Sequence, residues 1–146
     1  MDDIEYEGTV KWGVTTSRSY LPKDNSRDFA GGESILDWLR QFASKEEDDN
    51  TFLRGFLGRM LFSGDEVNKS VNVLSGGEKV RVMLSKLMLL KSNVLVLDDP
   101  TNHLDLESIS SLNDGLKNFK ESIIFASHDH EFIQTLANHI IVLSKN

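Results

Sequence analysis

Cysteine is absent from the 146 residues, so neither a disulfide framework nor a zinc-ribbon spacing holds this chain together, and a cytosolic setting is the default expectation. No apolar run approaches the roughly 20 residues that span a bilayer. The first residues, MDDIEYEG, are acidic where a secretory or transit peptide would be basic, so the chain reads as soluble. Positive charge is scarce: 16 Lys and Arg stand against 23 Asp and Glu, a formal net charge of -7. Such a surface as a whole repels nucleic-acid phosphates, and any RNA contact must be local or supplied elsewhere. No internal repeat is visible. Also missing is a GxxxxGK[ST] loop, the usual cradle for nucleotide phosphates. What remains is 39% hydrophobic and about one domain long, enough to bury a core.

Apolar residues alternate between short continuous runs and helical stripes, the pattern of strands buried on both faces with helices packed against them. The expected class is α/β. Strand candidates are residues 9–12, 17–21, 94–97, 123–126 and 140–143, the last three the strongest. Helix candidates carry apolar residues at three and four spacing, at Ile35, Leu36, Leu39 and Phe42, and at Phe52, Leu53, Phe56, Leu57, Met60 and Leu61. The pattern recurs at Val80, Met83, Leu84, Leu87 and Leu90, at Ile109, Leu112, Leu116 and Phe119, and at Phe132, Ile133 and Leu136. The run Glu46, Glu47, Asp48, Asp49 is read as a solvated loop that favours the next helix start.

Three stretches carry chemistry. In VNVLSGGEKVRVML, residues 71–84, Ser75, Gly76 and Gly77 stand before a long apolar helix. Glycines there let backbone N–H groups approach a phosphate, the helix N-terminus adds partial positive charge, and the serine adds a donor. Taken alone, the same residues make an ordinary Ser-capped helix start. They are followed by VLVLDDP, a strand ending in Asp98 and Asp99, and carboxyl ends of parallel strands are where ligands bind in open sheets. IIFASHDHEF repeats the arrangement, its strand ending at Ser127 and His128 with a helix opening at Asp129 or His130.

Together these stretches resemble the ATP-binding-cassette ATPases. Leu74 to Glu78 reads as their LSGGE signature, residues 94–99 resemble the Walker B strand, PTNHLD at 100–105 the D-loop, and Ser127-His128-Asp129 the H-loop. PTNHLD, FLGRMLF at 56–62 and the lack of a membrane segment are similar to the ABC-F subfamily, two-cassette proteins that act on ribosomes as translation factors or antibiotic-resistance proteins. FLGRMLFSGDEV resembles the helical region of the second cassette. The resemblance implies a partial P-loop NTPase: a parallel sheet with a helical signature subdomain and with the Walker A strand missing. Residues 1–23 would hold the first strand region and Q-loop, 31–73 the helical subdomain, and 74–146 the signature, Walker B, D-loop and H-loop. Met1 would fall just downstream of Walker A, and the C-terminus would stop where family members run on.

The resemblance also assigns roles. Cassettes pair head to tail, so Ser75, Gly76, Gly77 and Glu78 would face an ATP held by the opposing cassette of the same parent. Asp98 would hold Mg²⁺ mostly through water. Asp99 stands where the family has its catalytic glutamate, one methylene longer, and a displacement of about 1 Å costs roughly 100-fold in rate. His128 would contact the γ-phosphate, and Asn102 and Asp105 would lie at the dimer seam, with His103 stabilising the loop. Lys23, in YLPKDN, occupies the Q-loop glutamine position, where an ammonium repels Mg²⁺ but can pair with a phosphate. Ribosome contact would run through parts not in this sequence. Two other classes stand beside this one: a non-catalytic module that contributes only the signature half of an ATP site, and a metal-dependent hydrolase built from Asp98, Asp99, His128 and His130. For the sheet, the resemblance places 94–97 between 17–21 and 123–126, and leaves a gap one strand wide between 123–126 and 140–143.

Overall fold

A computed structural model describes residues 7–22, 26–102 and 104–143. Its strands are β1 (Arg18–Leu21), β2 (Val94–Asp98) and β3 (Ser122–Ala126). Its helices are α1 (Ile35–Arg40), α2 (Asn50–Arg59), α3 (Gly76–Leu89), α4 (Leu106–Lys117) and α5 (His130–Leu136). Each expected helix is present. Each also starts at a serine or aspartate whose side chain accepts the N–H three residues on: Ser34, Asp49, Ser75, Asp105 and Asp129. That bond satisfies one of the backbone donors that a helix start leaves without an intrahelical acceptor.

The strands form one parallel sheet in the order β1-β2-β3, with β2 central as expected. The register aligns Ser19, Leu95 and Ile123 in one row and Leu21, Leu97 and Phe125 in the next. Leu21, Leu95 and Leu97 are buried in one core with Ile35, Leu39, Leu53, Leu57, Leu84 and Leu112 of the helices. Phe125 meets Phe132 of α5 edge to face at 5.1 Å. The opposite face differs from the expectation of strands buried on both sides. Tyr20, Val96 and Ile124 are in register there, and Tyr20 and Ile124 are exposed. Among the described residues the sheet is buried on one face.

Two expected strands are not formed. Residues 9–12 and 140–143 have no regular structure, and Ile140, Ile141, Val142 and Leu143 are exposed. A strand needs a neighbour to take its backbone hydrogen bonds, and neither run has one among the described residues. The one-strand gap therefore has no second wall among the described residues, and β3 pairs only with β2. The acidic run at 46–49 is likewise more than solvated. Glu47 pairs with Lys91 at 2.5 Å, Asp48 with Arg40 at 2.7 Å, and Asp49 caps α2. Lys91 holds the left-handed backbone (φ 54°) that ends α3, a position usually given to glycine, and its ion pair anchors the turn into β2.

Candidate functional site

The residues of interest gather in two places. The first is the start of α3. Ser75 Oγ accepts the Glu78 N–H at 3.2 Å while Glu78 Oε2 accepts the Ser75 N–H at 2.8 Å, a reciprocal capping box. Lys69 Nζ reaches the other Glu78 oxygen at 3.0 Å. Partial burial pushes the Glu78 pKa up, but the Ser75 N–H and the Lys69 ammonium outweigh it and hold the carboxyl below its usual range. Glu78 is thus committed to the turn itself. The Ser75 hydroxyl accepts the Glu78 N–H within the cap and also contributes a smaller hydrogen bond to the Glu78 carboxylate. The first intrahelical bond runs from Lys79 N–H to Ser75 C=O, so the Gly76 and Gly77 N–H groups lie ahead of the ladder at the positive end of a 14-residue helix.

The two glycines differ. Gly76 is exposed, and a Cβ there would meet nothing within 4 Å. Gly77 is buried, and a Cβ there would lie 2.5 Å from Ser108 Cβ. Ser108 belongs to the first turn of α4, where its N–H donates to Asp105 Oδ1 at 2.8 Å. The Ser108 hydroxyl and then its N–H hold the Asp105 carboxyl below the usual range, with a smaller contribution from the Arg81 guanidinium. The signature turn and Asp105 therefore meet through Ser108, a residue that no motif singles out in the sequence.

The second place is the carboxyl end of the sheet. Asp98 closes β2 opposite Ala126 of β3. Asp99 then turns left-handed (φ 45°), its N–H donating to Ala126 C=O at 2.9 Å and its C=O accepting from Asn102 N–H at 3.1 Å. Thr101 Oγ1 and Ser127 Oγ are 3.5 Å apart, and Ser127 Oγ accepts the Asp129 N–H at 3.1 Å. His128, exposed, lies between them and α5. Asp98, Asp99, Asn102 and His128 so share one sheet edge. Lys23 and His103 lie outside the described residues.

Carboxylates at a strand end suit a hard divalent cation, and an open helix start suits a phosphate. The site residues present fit both groups. Among the described residues no three His, Cys, Asp or Glu side chains gather as metal ligands, so the four-residue centre of Asp98, Asp99, His128 and His130 is not formed. A groove of about 520 Å³ lies between Leu116, Phe119, Ser122, Ile123 and Leu136, beside the amino end of β3, and none of the site residues lines it. Among the described residues no helix is long and apolar enough to cross a membrane.

Comparison with known proteins gives the family. The family model described as ABC transporter matches residues 7–102. The ABC transporter ATP-binding protein YkpA of Bacillus subtilis is 62% identical over 140 residues, covering 95% of this chain and 26% of YkpA. ABC transporter F family member 5 of Arabidopsis thaliana is 37% identical over 123 residues, covering 84% of this chain and 18% of that protein. The chain thus spans about a quarter or less of the length of these relatives. In fold it is similar to a structure of an archaeal ribosome recycling factor, aABCE1, in complex with the ribosomal stalk protein aP1, with a TM-score of 0.65 and 23% identity. That match covers 90% of this chain and 25% of the other. The chain belongs to the ABC transporter family of ATP-binding cassettes, and its relatives include ABC-F members.

Proposed function

We propose that this chain supplies the signature, Walker B, D-loop and H-loop parts of an ATP-hydrolysing cassette, as the second of two in an ABC-F protein, within the domain limits 1–23, 31–73 and 74–146. The observation that carries the reading is the pair of carboxylates closing β2, with Asp99 bent out of the strand and tied to both Ala126 and Asn102. Asp98 would hold Mg²⁺, which screens phosphate charge when bound. Asp99 would take a proton from an attacking water, and His128 would donate to a γ-phosphate oxygen. Ser75 Oγ–H and the N–H groups of Gly76 and Gly77 would contact the phosphates of an ATP held by the opposing cassette, with Glu78 fixing the turn rather than touching the nucleotide. Asn102 and Asp105 would border the seam between cassettes, and Lys23, outside the described residues, would pair with a phosphate.

Turnover of Mg-ATP by the natural full-length protein carrying this sequence tests the reading: Asp98→Asn is expected to abolish it, and a wild-type rate in that variant rejects the assignment. The 146-residue chain by itself has no GxxxxGK[ST] loop and is expected to show no turnover above a protein-free blank.

The action coupled to ATP is on the ribosome, as a translation factor or in antibiotic resistance. This part of the reading is supported by the ABC-F relatives and by the likeness in fold to aABCE1, a ribosome recycling factor seen in complex with the stalk protein aP1. With a net charge of -7, this chain is not the segment that grips RNA broadly. Sedimentation of the full-length Asp99→Asn protein with ribosomes in Mg-ATP is the check, and its absence from the ribosomal fractions counts against this part alone.

A further inference from the structure

Where the first turns of α3 and α4 meet, Gly77 lies against Ser108. A Cβ at residue 77 would sit 2.5 Å from Ser108 Cβ and closer still to the hydroxyl, so this approach exists only because residue 77 has no side chain. Gly76, one residue earlier, faces open space. The requirement for glycine at 77 is thus a packing requirement, set from α4. On its other side Ser108 holds Asp105, the cap that ends the loop leading from Asp98 and Asp99. Arg81 braces the same corner, donating to Met60 C=O at 3.2 Å and lying 4.9 Å from the Phe62 ring centroid.

Resting on the reading that the α3 N-terminus faces a nucleotide phosphate, we propose that Ser108 is a positioning residue: its contact with Gly77 locks the phosphate-facing turn to the loop that carries Asp98, Asp99 and Asp105. The two then move as one unit. A shift at either is felt at the other, which ties the donors that one cassette offers across the seam to the carboxylates it uses for its own nucleotide.

If Gly77 served only close approach to phosphate, bulk added on α4 would be harmless, because residues 75–78 would be unchanged. If the seam positions the turn, bulk added from either side does equal damage, and removing it from the opposite side repairs it. The experiment is steady-state ATP turnover of the natural full-length protein, read beside the KM for ATP and a thermal unfolding curve. Ser108→Val is expected to lower kcat by about 100-fold, the effect of a displacement near 1 Å, with KM unchanged and a cooperative unfolding transition. Gly77→Ala should give the same loss. Gly77→Ala with Ser108→Gly should recover most of the rate, because the nearest remaining neighbour of the new Cβ, the Cα of residue 108, lies at 3.8 Å. Where Ser108→Val does not fold, Ser108→Thr, which adds one methyl and keeps the hydroxyl, gives the same comparison.

A wild-type kcat in a folded Ser108→Val or Ser108→Thr protein overturns the proposal, as does a folded double variant as slow as Gly77→Ala. A fall in thermal midpoint with kcat unchanged shows the seam to be structural only, and also overturns it. Asp98→Asn separates the two levels. Turnover that persists in that variant rejects the nucleotide reading and the proposal with it, whereas an inactive Asp98→Asn beside an unrescued pair rejects the positioning role alone.

Discussion

Asp99 donates its backbone N–H to the carbonyl of Ala126 at 2.9 Å while its own φ is 45°, so the chain leaves β2 by a left-handed step that β3 pins in place. Aspartate and asparagine tolerate this region better than other side chains with a Cβ. Strain of this kind tends to sit where a side chain must be aimed.

Asp99→Asn therefore keeps the backbone and removes the charge. In the full-length protein it is expected to lower ATP turnover by about 100-fold or more, the usual worth of a general base, with ATP binding and the thermal midpoint retained. Asp99→Glu, the residue that the family normally carries there, is expected to hold or raise the rate. An Asp99→Asn protein as fast as wild type assigns the base elsewhere.

Acid should weaken the two helix starts that meet at Ser108. The Glu78 carboxyl ionises below its ordinary 4.5 in the fold, and Asp105 below its ordinary 3.8. Between the folded and unfolded values the unfolded chain binds more protons, so stability rises with pH there. Each contribution is complete above the unfolded pKa and is lost as pH falls through the folded one. Thermal midpoints measured from about pH 6 down to pH 3 should drop most steeply below the ordinary carboxylate range. Glu78→Gln, which cannot ionise, should flatten that descent, and an unaltered slope would show that the capping box carries no proton linkage.

The sequence and the structure part company where a feature depends on a distant neighbour. β2, β3 and the five helices were legible because burial periodicity and capping residues are local signals. Residues 140–143, as apolar as β3, form no strand, since an apolar run becomes a strand only beside a partner that completes its hydrogen bonds. The open sheet face at Tyr20 and Ile124 is hidden from the sequence for the same reason, because a continuous apolar run does not say which face is covered. At the site, the positions of Ser75, Asp98 and His128 followed from their places at element ends. The burial of Gly77 did not, because its cause is Ser108, on another helix. Nor did the pairing of Glu47 with Lys91, where charges far apart in sequence meet across a turn.

The helix that carries Ser108 should be sensitive on one side only. Leu112 is fully buried in α4, whereas Leu106, at its first turn, is 81% exposed. Leu112→Ala is expected to cost about 3 kcal/mol in urea unfolding through lost transfer energy and a residual cavity. Leu106→Ala should stay within about 0.5 kcal/mol. Equal effects would mean that α4 packs by another face, and the Gly77–Ser108 contact would then need a different geometry.

The final prediction concerns association of the 146-residue chain with itself. Among the described residues β3 has β2 on one side and no paired strand on the other, and Ile124 is 51% exposed on its open face. Nearby in sequence, Ile140, Ile141, Val142 and Leu143 are 70%, 86%, 83% and 93% exposed. An unprotected strand edge offers backbone donors and acceptors to any extended segment, and a run of exposed, mostly β-branched apolar residues is well suited to take them. Two copies can satisfy both at once if the apolar run of one adds to the β3 edge of the other. The purified chain is thus expected to elute larger than a monomer, with the larger species growing as concentration rises. Ile141→Lys should suppress this, since a lysine on an added strand disfavours stacking of further copies and disrupts the apolar run. Lys117→Gln, on the exposed side of α4, should leave the elution unchanged. A chain that stays monomeric across the accessible concentrations, or an Ile141→Lys variant that associates as strongly as the parent, would show that the edge is not what drives association.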